Sequence, residues 1–365
     1  MISKDIYEKV LSELESFYCR TPNRMSFYQA LKKTLTGEEC RLWLVFPKHT
    51  EEPCTKQKLR EQAPEDIDFE RAFDGLEGKA FLKRWDVKNG EERYVRNYIF
   101  KIMLAYSIYG TENPMTVATR DWFNAIREGG SNHFILETPE YRTIPHEGVL
   151  TGDSTFGSIP MNIEIPDTRE VVTFDYVTEM LKGRKMILLI DCFCRSNKSA
   201  LNIRECNHSK ETCMLFDDFA KESYDLGIGR VITAYEALKI VKKCRDEGMV
   251  QNISNSMEPS ILCNCCDCCC LPLASMRRNE RSCGKPSRYI AAYEKEKCEG
   301  CGACVNICPM KVYHLKEGKT VGDFSKCIGC GLCASKCKNG GIHLTLREDA
   351  EKYLPDRQRL DVMFI

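Results

Sequence analysis

Cys298-Glu299-Gly300-Cys301-Gly302-Ala303-Cys304-Val305-Asn306-Ile307-Cys308 and Cys327-Ile328-Gly329-Cys330-Gly331-Leu332-Cys333-Ala334-Ser335-Lys336-Cys337 are two copies of one pattern, 29 residues apart. The same shift brings His314 onto His343 and Leu315 onto Leu344. Each copy reads C-x2-C-x2-C-x3-C, the run associated with 4Fe–4S clusters. Three cysteines spaced by three in a tightly turned loop reach three corners of one cube. Gly300, Gly302, Gly329 and Gly331 let the backbone turn and bring its N–H groups toward the sulfides. The fourth cysteine, four residues on, points to the other cluster. One cluster is therefore assigned to Cys298, Cys301, Cys304 and Cys337, and the other to Cys327, Cys330, Cys333 and Cys308. Zinc modules space their ligand pairs further apart. A loop, a short helix and a strand, used twice, bury a core that neither copy buries alone.

Outward from this repeat, cysteine remains the dominant signal. The chain has 365 residues and 23 cysteines, of which only Cys19, Cys40 and Cys54 precede residue 190. Runs such as Cys268-Cys269-Cys270 suit metal ligation better than a disulfide framework. Lys and Arg number 53, as do Asp and Glu, so no global field points to nucleic acid or membrane. The N-terminus shows no apolar core followed by a small-residue cleavage site, and no apolar run approaches a membrane span. A soluble, cytoplasmic protein is expected.

The sequence divides into five segments: a helical, winged-helix-like module over 1–110, a connecting segment over 111–184, a cysteine-rich metal-binding domain over 185–290, a dicluster domain over 291–346, and a charged tail over 347–365. The fold class expected is α+β and multidomain, with an α/β middle. In that middle, the strand-like run Met186–Ile190 delivers Cys192 and Cys194 to one face. Cys206 and Cys213 follow in a loop-like polar stretch, and Cys244 reads as a packing residue. Then comes Cys263-Asn264-Cys265-Cys266-Asp267-Cys268-Cys269-Cys270. As a helix, this block would group Cys265, Cys268 and Cys269 on one face and Cys266 with Cys270 on another. Four thiolates suffice for one cubane, so at least one further iron–sulfur or other metal centre is expected here. Buried cysteine acting as a small hydrophobe accounts for one or two of these residues but not for six in eight.

Residues 296–346 resemble bacterial two-cluster ferredoxins, which implies one-electron transfer between adjacent clusters. The first copy keeps the Cys308-Pro309 of that family, whereas the second has Cys337-Lys338-Asn339. The order Tyr141-Arg142-Thr143-Ile144-Pro145, Asp191-Cys192-Phe193-Cys194-Arg195, Gly229-Arg230-Val231-Ile232-Thr233 and Cys263-Asn264-Cys265-Cys266 resembles a family of anaerobe iron–sulfur proteins. These join a winged-helix-like N-terminus, a cysteine-rich middle and a C-terminal ferredoxin. The resemblance implies architecture and redox work, with no single reaction attached.

In the N-terminal module the winged-helix reading takes Glu51–Gln62 into the turn, Ile67–Gly75 as the recognition-type helix and Phe81–Tyr94 as the wing, turning at Lys88-Asn89-Gly90-Glu91. Five acids over Glu65–Asp74 against Arg71 alone oppose phosphate, so partner docking is expected rather than DNA binding. Gly227-Ile228-Gly229 lacks the rest of a dinucleotide fingerprint, and no C-x-x-C-H marks covalent haem. The expected function is an electron carrier serving a partner oxidoreductase. The alternatives are a reductase with its substrate site at the middle cysteines and a redox-sensing regulator. No catalytic residue and no oligomeric state follow from the sequence.

Overall fold

The computed structural model describes residues 5–15, 21, 23–48, 51–86, 91–108, 113–129, 139–151, 176–278 and 283–355. The chain divides into two units, Met1–Glu137 with Ser196–Leu201 and Ile365, and Thr138–Arg195 with Asn202–Phe364.

The first unit runs α1 (Ile6–Glu15), α2 (Arg24–Thr34), α3 (Gly37–Trp43), β1 (Cys54–Thr55), α4 (Lys56–Gln62), α5 (Phe69–Gly78), β2 (Leu82–Asp86), β3 (Glu92–Arg96), α6 (Ile99–Ile108) and α7 (Pro114–Gly129). Its sheet has the order β1-β3-β2, antiparallel throughout. Helix α3 starts at a capping box: Thr36 Oγ1 accepts from the Glu39 N–H at 3.1 Å, and Glu39 Oε2 accepts from the Thr36 N–H at 2.7 Å. The Glu39 carboxylate also binds Lys79 Nζ at 2.6 Å. The segment Glu51–Gln62, read from sequence as entering the turn, forms β1 and then α4, which begins after Thr55, whose hydroxyl caps it. Helix α5 starts later than the sequence reading placed it, after the Asp68 cap, and runs on to Gly78. The hairpin β2–β3 is present; residues 88–90 of its expected turn lie outside the described residues.

The second unit runs β4 (Tyr141–Ile144), α8 (Glu147–Thr151), α9 (Val177–Leu181), β5 (Ile187–Asp191), the start of α10 (Phe193–Ala200, of which Ser196 onward is grouped with the first unit), β6 (Glu211–Phe216), α11 (Asp217–Asp225), β7 (Arg230–Val231), α12 (Ala234–Asp246), β8 (Val250–Ser254), β9 (Ile261–Cys265), α13 (Leu271–Arg278) and β10 (Gly284–Lys285). It continues through β11 (Tyr289–Tyr293), α14 (Ala303–Ile307), β12 (Tyr313–Lys316), β13 (Lys319–Gly322), α15 (Leu332–Lys336) and β14 (Ile342–Leu346). The stretch 111–184, read from sequence as a connector, supplies α7 to the first unit and β4 to the second. Its alternating run Met161–Ile165 lies outside the described residues.

Seven strands form one sheet in the order β10-β4-β8-β9-β6-β5-β7, parallel only between β10 and β4. The two-residue period of a strand gives this sheet two different faces. Leu262, Met214, Ile253 and Leu189 face a core shared with Val241 and Leu238 of α12 and Val177 of α9. The alternate residues include Cys213, Cys263, Cys265 and Val250. Val250, Cys265 and partly buried Cys263 join an apolar cluster with Cys308, Met310, Ile328 and Cys333. The cysteine-rich middle and the C-terminal repeat therefore share one core within the second unit.

Within the C-terminal repeat, β11 pairs antiparallel with β14 and β12 with β13. Residues 347–354, expected as tail, continue the packing: Arg347 Nε donates to Ser287 O at 3.0 Å and Lys285 Nζ to Leu354 O at 3.2 Å.

Candidate metal centres

The two repeat loops are built alike. Gly300 and Gly329 sit at φ +71° and +66°, a left-handed backbone that glycine adopts without strain. A Cβ at Gly300 would lie 2.0 Å from Gly318 O, and one at Gly329 would lie 2.0 Å from Tyr289 O. This turn aims the Gly300 N–H at Cys298 Sγ and the Gly329 N–H at Cys327 Sγ, both at 3.4 Å. Such donors stabilise thiolate sulfur and set the charge of whatever it ligates.

Cys308, Cys327, Cys330 and Cys333 line one cavity together, although Cys308 comes from the first copy. Cys308 Sγ accepts from the Val312 N–H at 3.4 Å, and the Tyr313 hydroxyl lies 3.3 Å from Cys333 Sγ. Burial, and then the neighbouring thiols, push Cys330 well above its ordinary range and Cys333 up to about 12. Thiols so placed ionise when a cation takes the proton's place. Around the other loop, the Thr320 hydroxyl lies 3.5 Å from Cys304 Sγ and 3.7 Å from Cys298 Sγ. Cys301 is exposed and Cys337 half-buried. Four soft donors, preset amide N–H groups and a cavity lined by four cysteines fit an iron–sulfur cluster.

Residues 290–338 match the family model described as a 4Fe-4S dicluster domain. The C-terminal part of the second unit is thus a ferredoxin-type 4Fe–4S domain. Ferredoxin-2 of Desulfomicrobium norvegicum is 48% identical over 33 residues, 9% of this chain and 56% of its own length. Ferredoxin-3 of Desulfocurvibacter africanus is 46% identical over 33 residues, 9% of this chain and 54% of its own. Ferredoxin-1 of Nitratidesulfovibrio vulgaris is 42% identical over the same length, with 53% of its own covered. The chain spans about half the length of the curated relatives it matches. No solved structure matches.

The middle cysteines are arranged differently from the sequence reading. Cys263–Cys270 is not a helix: β9 ends at Cys265, a turn follows, and α13 starts at Leu271. Pairing of Cys263 with Asn252 and of Cys265 with Val250 holds this segment extended. The helical grouping of Cys265 with Cys268 and Cys269, and of Cys266 with Cys270, is therefore corrected. Instead Cys206, Cys266, Cys268 and Cys269 bring all four Sγ atoms within 4.8 Å of one another. Neighbouring sulfurs lie 3.8 Å (Cys206–Cys266), 3.8 Å (Cys206–Cys269), 3.7 Å (Cys266–Cys268) and 3.4 Å (Cys268–Cys269) apart. Contacts from Cys268 and Cys269, with Arg195 beside them, hold the Cys266 thiol far below its ordinary range.

Cys213 lies in β6 rather than in a loop, and Cys194 in α10 rather than at the end of a strand. Cys192 and Cys194 still touch, across a strand-to-helix junction. Cys244 is a packing residue inside α12, its thiol pushed up to about 12 by burial. Cys283 is buried 3.4 Å from Ser275 Oγ.

Sequence reasoning missed Arg195, which is fully buried. Its guanidinium bonds the Thr212 hydroxyl, Asn264 O at 3.1 Å, Cys266 Sγ at 3.6 Å and Met249 Sδ at 3.6 Å, with no carboxylate among these partners. A buried cation without a counter-charge costs several kcal/mol, and the thiol that can ionise closest to it is Cys266. The available signal was an arginine directly after Cys194, in the run Asp191-Cys192-Phe193-Cys194-Arg195.

Proposed function

We propose that this chain is an iron–sulfur electron-transfer protein, holding two ferredoxin-type 4Fe–4S clusters and a further metal centre at Cys206, Cys266, Cys268 and Cys269. A partner oxidoreductase gives or takes the electrons. One observation carries the reading: two matched cysteine loops share an apolar core with a domain that holds a separate four-thiol group. The clusters, when bound, supply one-electron transfer. The chain supplies ligands, amide donors and a difference in exposure. Exposed Cys301 marks the loop that meets the partner. The cavity lined by Cys308 and Cys333 belongs to the core joined to the middle domain.

Three links tie that cavity to the four-thiol group. Arg277 donates to Asp267 O at 2.6 Å and to Pro309 O at 3.5 Å, next to Cys308. Lys311 Nζ lies 3.6 Å from Asp267. These links favour redox communication over independent roles. Four thiols close a tetrahedral site, which favours a carrier over a reductase needing an open metal position.

The winged-helix-like part of the first unit serves as a docking module. Glu70 of α5 is engaged by Lys56 and Arg60 of α4, and Arg71 by Glu38 of α3, so little of this helix's positive charge is free for phosphate. Among the described residues no helix is long and apolar enough to cross a membrane. A cytoplasmic location is part of the proposal.

The test is metal and redox analysis of the full chain purified without oxygen. About eight irons and eight sulfides for the two clusters, plus metal at the third centre, are expected. So is reversible one-electron bleaching of the visible absorption. Stoichiometric zinc with little iron, or no reducible chromophore, overturns the reading.

A further inference from the structure

Eight middle cysteines remain outside the four-thiol group. Cys244 and Cys283 stand apart, but the other six are not scattered. Cys192 touches Cys194, Cys194 touches Cys270, and Cys270 touches Cys265. Cys265 touches Cys263, Cys263 touches Cys213, and Cys213 returns to Cys192. The six thiols form a closed ring in which each has two sulfur neighbours. Cys192, Cys213, Cys265 and Cys270 are buried; Cys194 and Cys263 are half-buried.

Strand geometry explains how residues so distant in sequence meet. Cys213 and Cys263 lie on neighbouring strands β6 and β9, next to the pair Met214–Leu262. Cys263 and Cys265 are two apart on β9 and leave the same face. Cys192 and Cys194 come from the β5–α10 junction, and Cys270 from the start of α13, closing the ring from the other side.

Ordinary packing does not account for this arrangement. A small hydrophobe needs no sulfur neighbour in particular, yet each of these six cysteines has two. The ring also lies beside the Arg195 charge, which acts on Cys192 and Cys213 as it does on Cys266. That cation has sulfur as its neighbour in both thiol groups. Asn252, hydrogen-bonded to Thr143 Oγ1 at 2.9 Å, adds a polar contact to Cys265.

The donor count separates this site from the four-thiol group. A single tetrahedral ion takes four ligands, and a cubane takes four cysteines. Six neighbouring thiols exceed both, and suit a cluster in which some sulfurs bridge two metals. We propose that Cys192, Cys194, Cys213, Cys263, Cys265 and Cys270 form a second, polynuclear iron–sulfur site in the middle domain. It is distinct from the Cys206 group and shares Arg195 with it as counter-charge.

The inference goes beyond the electron-transfer reading and does not depend on it. The test loads the full chain with iron and sulfide without oxygen and compares two double variants by iron analysis and Mössbauer spectroscopy. Cys213→Ser with Cys265→Ser removes one iron component and leaves that of the Cys206 group. Cys266→Ser with Cys269→Ser does the reverse. Both leave the ferredoxin-type components, whose loss instead would strike the function proposed above. Loss of the same component in both variants means one shared centre and overturns the proposal, as does unchanged iron in the first. Anomalous scattering at the iron edge in crystals of the unaltered protein is the check that needs no variant. Two separate middle-domain iron peaks, one inside the ring, are expected. An iron-free ring, or a ring closed by disulfides, overturns it.

Discussion

The loops at Cys298–Cys308 and Cys327–Cys337 share spacing, left-handed glycines and an N–H···Sγ bond of one length, yet their surroundings differ. The first is backed by its own half of the repeat, through Gly318 O and Thr320, and leaves Cys301 exposed. The second is walled by the rest of the unit: the His146 N–H donates to Cys330 O at 2.9 Å, the Ser287 N–H to Ile328 O at 3.0 Å, and the Ala291 N–H to Cys327 Sγ at 3.5 Å. Local sequence sets ligand geometry, and the packed domain sets exposure. A symmetric repeat thus becomes an asymmetric pair of sites, and if each holds a cluster as proposed, burial and hydrogen bonding would separate their potentials.

The severest way to break this comparison is Cys308→Ser. About half of the dicluster iron should be lost, from the cluster at Cys327, Cys330 and Cys333 rather than from the loop that contains Cys308. Electron paramagnetic resonance of the reduced variant identifies the missing signal; loss at the Cys298–Cys304 site instead would end the crossed assignment. Less severe is a pair of alanine substitutions. Gly329→Ala forces a Cβ onto Tyr289 O and should prevent the second cluster from assembling. Gly302→Ala, where the nearest atom is Leu315 Cδ1 at 3.6 Å, should cost only the left-handed backbone term of about 1–2 kcal/mol. Thermal unfolding of the loaded protein and its iron content separate the two; equal losses would show that the close approach of Tyr289 O to Gly329 is not what limits the second loop.

The smallest effects should sharpen the comparison. Tyr313→Phe removes the hydroxyl beside Cys333, and Thr320→Val the hydroxyl beside Cys298 and Cys304. Each takes away a hydrogen bond of about 1 kcal/mol and should lower the potential of its own cluster only. Redox titration followed by resonance reads them separately. A shift of both clusters by either variant would mean that the repeat behaves as one unit.

The repeat was legible because its information is local. Spacing, glycine positions and the duplicated histidine and leucine all lie within a few residues of the ligands. The middle domain was legible as a thiol reservoir but not as an arrangement. In Cys263–Cys270 cysteine fills nearly every position, so neither a helical nor a strand period stands out. Strand pairing decides the matter, and it is written in Asn252, Val250 and Leu262 rather than in the cysteines. Cys206 belongs with residues sixty positions away, which no spacing rule connects. The α+β content followed from mixed periodicities, whereas the segment 111–184 looked like a connector because its helices and strand lie between Pro- and Gly-containing stretches.

The alternation along β9 has a consequence for how the protein matures. Leu262 and Asn264 point to the helix-covered face, Cys263 and Cys265 to the sulfur-bearing one. A chain that paired this strand one residue out of step would present an amide and a leucine to the incoming metal and bury two thiols among aliphatic side chains. Such a chain could still look folded by its secondary structure, but it could not take up a full complement of metal at this face. With metal held at this face as proposed above, its uptake would select for strand register, because a misaligned chain would lack the sulfur to bind it.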